Sequence, residues 1–277
     1  MAGDASAAGT ADTQVDIIGH ILDANFLEVP FINAHHVFDG RIPLPQFDPI
    51  FGIDLSITRH VVMMWAACAV LMVALTTAFR RPQTVPSGLA NMFEAMVLFV
   101  RDEVVMPAMG DRGKPFLPYF LTVFFFILFC NLFGLLPYSA TPTGNISVTA
   151  ALALCSFALI QITGIVNNGL LGYFKSLVPS GIPWWLLPIM VPIEILGLFA
   201  KPFALCIRLF ANMIAGHVAI LVFLGLIIML QSYLLAPASI VLAAAIYMLE
   251  IFIAFIQAFI FTLLSALFVG MAAHPEH

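Results

Sequence analysis

Hydrophobic residues fill five long runs of the chain, and few polar side chains interrupt them. The runs occupy residues 61–79, 116–136, 148–170, 186–230 and 237–271. An α-helix of about 20 apolar residues crosses the ~30 Å hydrocarbon core of a bilayer. The last two runs exceed this length, so their helices must tilt or bend. The pattern therefore predicts an all-α integral membrane fold with five membrane-crossing helices, the last two forming a long, strongly tilted hairpin.

Residues 87–106 show a different pattern, in which apolar positions recur at helical spacing among five polar ones. Ser87 is a candidate N-cap, and Pro107 is expected to end the helix. The polar positions are Asn91, Glu94, Arg101, Asp102 and Glu103. This pattern favours an amphipathic helix that lies in the membrane interface rather than a sixth span.

Charges are unevenly distributed and indicate the orientation. Residues 1–57 hold eight acids and one base, Arg41, whereas basic residues collect between the first two runs, at Arg80, Arg81, Arg101, Arg112 and Lys114. The positive-inside rule places this connection in the cytoplasm. We therefore predict an extracytoplasmic segment over 1–57, a single transmembrane domain over 58–277 and a cytoplasmic C-terminus.

The extracytoplasmic segment carries little patterned sequence. Its composition predicts disorder over residues 1–13, a short surface helix over 15–27 and a loop over 30–49. His35 and His36 in that loop are interpreted as solvated side chains, because no further metal-ligand spacing accompanies them.

The overall composition excludes several classes of function. Of 277 residues 62% are hydrophobic and 9% charged, with a mean hydropathy of +1.07, whereas soluble domains carry about 25% charged residues. The net charge of −5 gives no reason to expect a nucleic-acid partner. The four cysteines lie singly in apolar runs, so no disulfide, metal site or cofactor is predicted.

Only five formal charges remain between residues 116 and 273: Lys175, Glu194, Lys201, Arg208 and Glu250. An arginine at the centre of a span costs about 2.5–3.5 kcal/mol on insertion scales, so Arg208 is expected to have a task or a partner. Lys201 is interpreted as a snorkelling or lipid-facing charge.

The last two runs can be aligned as an antiparallel hairpin that turns at 231–233. His217 and Glu250 then lie at one depth, and Arg208 and Gln257 lie at another. Glu194, Lys201 and Arg208 share a helical stripe of small residues, which Asn212 joins, whereas His217 points to the opposite side. His217 and Glu250 can exchange protons, but arginine cannot deprotonate. We therefore expect two separate proton half-paths, bridged by a carboxylate of another subunit that faces Arg208.

The segment RLFANMIAGH around Arg208 resembles the signature of subunit a of F-type ATP synthases. The motifs FCNLFGLLP, TPTGNISVTAALAL, PIEILGLFAKP and EIFIAFIQAFIFTLL extend this resemblance over most of the chain from Asp54 onward. The resemblance implies five spans, two of them long and tilted against a rotating ring of c-subunits.

Residue roles follow from the resemblance. Arg208 corresponds to the essential arginine that faces the ring carboxylate, with Asn212 and Gln257 as its polar neighbours. His217 and Glu250 correspond to the outer half-channel pair and Glu194 to the inner acid, and Asn131 is a candidate for lining the outer path. The implied partners are the c-ring, the peripheral-stalk b subunits, the remaining synthase subunits and membrane lipid, in a bacterial inner membrane.

Two other functions compete with this interpretation. A proton-coupled secondary transporter would show inverted repeats and a midplane substrate site, and no internal repeat is visible. A haem-binding redox subunit would need paired histidines on facing helices, whereas His60 and His217 lie at different depths. For Asn131, Asn212, Gln257 and the His217–Glu250 pair, purely structural hydrogen bonding is the alternative to a part in proton transfer.

Overall fold

The computed structural model describes residues 26–28, 41–46, 56–80, 87–136, 139, 141–176, 184–230 and 236–273. Their main helices are α1 (Arg59–Ala78), α2 (Leu89–Phe99), α3 (Met106–Met109), α4 (Leu117–Gly134), α5 (Ile146–Ser176), α6 (Leu187–Leu230) and α7 (Ala236–Ala273). Short 3-10 helices occupy Gly110–Phe116, Pro142–Gly144 and Trp184–Leu186. Among the described residues, five helical stretches are long and apolar enough to cross a membrane, which confirms the predicted fold class.

A small antiparallel ribbon precedes the helices. Strand β1 (Phe26–Glu28) pairs with β2 (Arg41–Pro43), and Phe26 lies opposite Pro43. The predicted helix is therefore wrong at Phe26 and Leu27, and the predicted loop is wrong at β2. Backbone pairing between the two short segments outweighs the weak helical pattern, and Pro43 is tolerated because a two-stranded ribbon consists of edges. Residues 1–25, His35 and His36 lie outside the described residues.

The amphipathic segment is longer and less regular than predicted. Helix α2 begins after Gly88, whose φ of 62° fits glycine, so the N-cap position is held by Gly88 and not by Ser87. The helix continues through a widened π-helical turn, Val100–Val105, into α3, so Pro107 does not end it. Pro107 lacks the N–H that a regular helix would donate one turn back, and the widened turn lies directly before it.

The core lies where α7 packs against α4, α5, α6 and the amphipathic segment. Phe120, Phe124 and Ile127 of α4 are fully enclosed, as are Ala258 and Phe261 of α7. The π-helical turn adds three buried valines, Val100, Val104 and Val105. Helix α1 packs on the outside of this core against α4 and α2. This arrangement fixes α7 firmly and leaves one side of α6 uncovered.

Helix α5 runs further than expected but is broken. Gly169 takes a φ of 71°, and the chain beyond it folds back so that the Tyr173 hydroxyl donates to the Gln161 side-chain oxygen. The Asn168 amide donates to the Ala272 carbonyl oxygen at 3.2 Å. The first contact holds the last part of α5 against its own middle, and the second joins α5, just before the break, to the end of α7.

Candidate functional site

Helices α6 and α7 pack as an antiparallel hairpin, and two contacts report its register. Gly216 lies against Glu250, and the Asn212 Nδ2 donates to Gln257 Oε1 at 2.8 Å. This register falls within one helical turn of the depth alignment derived from the sequence. The predicted turn at residues 231–233 lies outside the described residues.

Glu250 occupies a place that only a glycine on α6 can provide. A Cβ atom at Gly216 would stand 2.0 Å from Glu250 Oε1, so any other residue would displace the carboxyl group. Glu250 is 5% exposed, and its Oε2 is buried without a hydrogen-bond partner among the described residues. Buried polar groups require a hydrogen-bond partner, and a water molecule would supply one here.

His217 follows Gly216 on α6, so the backbone of α6 brings it to the turn that contacts Glu250. The placement of its side chain is outside the described part of the structure. The predicted facing of His217 therefore remains a prediction. The structure does show that Glu250 reaches the section of α6 to which the sequence alignment assigned it.

Two helical turns further along α7, Gln257 is held by Asn212 rather than by Arg208. Gln257 is 2% exposed, and its oxygen accepts the Asn212 amide. The side chain of Asn212 thereby crosses from α6 to α7, at a position four residues beyond Arg208. The two amides close the interface between the helices beside the arginine.

Arg208 itself points away from the chain. It is exposed, and no hydrogen bond or ion pair joins it to another residue in the part of the chain that the structure describes. The residues that surround it on this face are small and also exposed: Ala200, Ala204, Ala211 and Ala215. The opposite face of α6 is buried through Leu205, Leu209 and Met213. The protein thus presents a fixed positive charge on a flat, small-residue helix face.

The two other charges of α6 lie towards its N-terminal end. Glu194 is half-buried and has no hydrogen-bond partner among the described residues. It precedes Arg208 by about 21 Å of helix. The Lys201 Nζ lies 5.1 Å from the centre of the Phe268 ring on α7, so this ammonium group contacts its own chain.

Asn131, the candidate for lining the outer proton path, is fully buried. Its Oδ1 accepts a hydrogen bond from Thr143 Oγ1 at 2.6 Å, and its Nδ2 donates to the Ala254 carbonyl oxygen at 3.4 Å. Sequence reasoning named neither Thr143 nor Tyr247, whose hydroxyl donates to the Leu135 carbonyl oxygen at 2.9 Å. The signal for Thr143 was its place in the TPTGN motif, which the sequence shows only as a turn.

The described residues contain no group of three or more His, Cys, Asp or Glu side chains able to hold a metal ion. Their four cysteines are free; Cys130 and Cys206 are buried, and the Cys206 thiol lies 3.4 Å from the Thr149 hydroxyl. Among the described residues, Glu194, Lys201, Arg208 and Glu250 lie on α6 and α7, and Arg59 and His60 are buried at the start of α1.

Comparison with known proteins places this arrangement in a family. A family model described as ATP synthase A chain matches residues 61–270. The chain is 52% identical over 273 residues to ATP synthase subunit a of Myxococcus xanthus, covering 91% of this chain and 90% of the relative. It is 49% identical over 267 residues to ATP synthase subunit a 2 of Chlorobium luteolum, covering 94% and 76% respectively. Together with the five apolar helices, these matches show that the chain is a multi-pass membrane protein that belongs to the ATP synthase A chain family.

Proposed function

We propose that this chain is the proton-translocating stator subunit of a rotary F-type ATP synthase. The match to the ATP synthase A chain family supports the assignment of this chain to the synthase complex. The role in proton translocation is inferred mainly from Arg208, which is exposed within a span and has no partner among the described residues. An uncompensated arginine at this depth is costly, so its charge is compensated from outside this chain.

The compensating group in this proposal is a carboxylate on the rotating c-ring. The exposed alanines beside Arg208 let a neighbouring helix approach closely. Arginine is always protonated and cannot relay a proton. Arg208 therefore stabilises the ionised ring carboxylate as it passes and prevents a proton from crossing directly between the two sides.

Two offset half-channels supply and collect the protons. On the outer side, protons pass His217 and Glu250 and protonate a ring carboxylate. After nearly a full turn of the ring they leave towards the cytoplasm by way of Glu194. Each elementary charge that crosses 100 mV releases about 2.3 kcal/mol, which the arginine couples to rotation by preventing leak.

The amides of Asn212 and Gln257 assist this geometry. Their hydrogen bond of 2.8 Å ties α6 to α7 beside Arg208 and separates the arginine from the outer pair. In the complete complex the chain also contacts the peripheral-stalk b subunits and membrane lipid. It lies in a bacterial inner membrane with its N-terminus outside and its C-terminus in the cytoplasm, and it performs no catalysis of its own.

ATP-driven acidification of inverted membrane vesicles that contain the whole synthase tests the proposal. Arg208→Ala is expected to abolish acidification while the complex still assembles. Lys201→Gln is the matched control, because it removes a second cation of α6 that contacts Phe268 instead of facing outward. Full coupled pumping by Arg208→Ala would show that the mechanism is wrong.

A further inference from the structure

The outer end of α4 is joined to α7 on both sides of Glu250. The Tyr247 hydroxyl donates to the Leu135 carbonyl oxygen at 2.9 Å, and the Asn131 amide donates to the Ala254 carbonyl oxygen at 3.4 Å. Tyr247 and Ala254 lie about one helical turn before and after Glu250. The two hydrogen bonds thus bracket the section of α7 that carries the carboxyl group.

Thr143 decides which way the Asn131 amide points. Its hydroxyl donates to Asn131 Oδ1 at 2.6 Å, which leaves Nδ2 directed at Ala254. If the amide were turned over, its oxygen would face the Ala254 carbonyl oxygen, and two acceptors would oppose each other. Both Thr143 and Asn131 are 0% exposed, so bulk water does not compete for these bonds.

The carboxyl group of Glu250 is not held by a hydrogen bond of its own among the described residues. Its Oε2 is buried without a partner, and its Oε1 rests where a side chain at Gly216 would stand. The position of Glu250 is therefore set by the backbone of α7 and by the gap at Gly216. Any small shift of α7 relative to α6 moves the carboxyl group.

We propose that Thr143 is a positioning residue: acting through Asn131, it fixes the section of α7 that places Glu250 against Gly216 for proton exchange. Thr143 takes no part in proton transfer, and it acts only by orienting the Asn131 amide that holds α7. The proposal rests on the proposed function, in which Glu250 belongs to the outer proton path.

Few other titratable groups face this part of α7. Helix α6 carries His217 in the backbone turn that contacts Glu250, and α7 itself carries Tyr247. Neither α4, the 3-10 segment Pro142–Gly144 nor α5 up to Gly169 contains an Asp, Glu, Lys, Arg or His residue. Helix α1 packs against the 3-10 segment and adds the buried Arg59 and His60 at its start. A displaced pH profile in a Thr143 variant therefore reports on the geometry of this region around Glu250.

The test uses the whole synthase in inverted vesicles, in which the lumen corresponds to the outer side. ATP synthesis is driven by an acid–base transition at a series of luminal pH values, with external pH and membrane potential fixed. Thr143→Val is expected to lower the rate about fivefold, as loss of about 1 kcal/mol would, and to displace the luminal pH profile. Thr143→Ser keeps the hydroxyl and is expected to retain the wild-type profile.

Tyr119→Phe is the matched control, because it removes another interhelical hydrogen bond of α4, the 3.0 Å contact with Ser156, far from Glu250. Rates are normalised to assembled complex, and Thr143→Ala replaces Thr143→Val if the valine hinders assembly. An unchanged profile in the assembled Thr143 variant, or an equal displacement in Tyr119→Phe, overturns the positioning role. Full activity of Glu250→Gln would instead refute the outer path itself.

Discussion

Gly216→Ala should separate the position of Glu250 from the stability of the protein. The new Cβ would stand 2.0 Å from Oε1, 2.8 Å from Cδ and 3.0 Å from Cγ of Glu250. Ordinary contact needs roughly 3.4 Å, so the carboxyl group must move by about 1.4 Å. A misplacement of about 1 Å at a reacting group can lower a rate about 100-fold. We therefore expect proton transport to fall by one to two orders of magnitude.

The same substitution should change stability little. Replacing glycine by alanine inside a helix gains about 1 kcal/mol, whereas overpacking costs typically about 1–3 kcal/mol. The clash here is with the far end of a flexible side chain, which can rotate away. The complex should therefore assemble in normal amount and still pump poorly.

ATP-driven acidification and the amount of assembled complex measure the two quantities separately. Gly172→Ala is the control, because its Cβ would meet only the Asn168 Cβ, at an ordinary 3.5 Å. In the double variant Gly216→Ala with Glu250→Asp, the acid is one methylene shorter, and part of the lost rate should return. Wild-type pumping by Gly216→Ala would refute the argument, because the carboxyl group could then leave its place without consequence.

Two further substitutions probe the packing of α7. In Gly270→Ala the new Cβ would stand 2.3 Å from the Ala108 carbonyl oxygen, a backbone atom that cannot rotate away. We therefore expect the free energy of unfolding to fall by about 1–3 kcal/mol, seen as a lower Tm of the purified complex. A Tm equal to that of Gly172→Ala would contradict this. Asn212→Leu, Gln257→Leu and the double variant form a double-mutant cycle on the 2.8 Å bond between the two amides. Measured on proton transport, the coupling between the two sites should be about 1 kcal/mol. Strictly additive effects would show that the two amides do not act together.

The register of the hairpin could be predicted because an antiparallel pair of helices leaves only one free parameter. Once residues 231–233 were assumed to form the turn, each residue of α6 could be paired with the residue of α7 at the same depth in the membrane. The helical period also placed Arg208 on a stripe of small residues, and the structure buries Leu205 and Leu209 on the opposite side. Both inferences rest on regular helix geometry, which this part of the chain follows.

The contacts that place Glu250 could not be predicted in the same way. Gly216 looks from the sequence like a weak point of a helix, and only the packed structure shows a carboxyl group in its gap. Thr143 lies in a turn motif whose path the sequence does not define, so its contact with Asn131 was invisible. These contacts arise between elements distant along the chain, where local periodicity carries no information.

In the proposed mechanism, the contrast between Glu250 and Arg208 explains how one chain would deliver protons without conducting them freely. Glu250 is 5% exposed and packs against Gly216 of α6, so this protein itself screens it from solvent. A carboxyl group can also exist in a neutral form, which a buried site tolerates. Arg208 has neither property, because a guanidinium stays charged and this one is exposed on a face of small residues. At about 2.5–3.5 kcal/mol for an arginine in a span, the separated chain is left with an unfavourable charge that an acid of the ring would offset. We therefore expect Arg208 to contribute to the affinity between this chain and the proposed ring partner as well as to the barrier against leak.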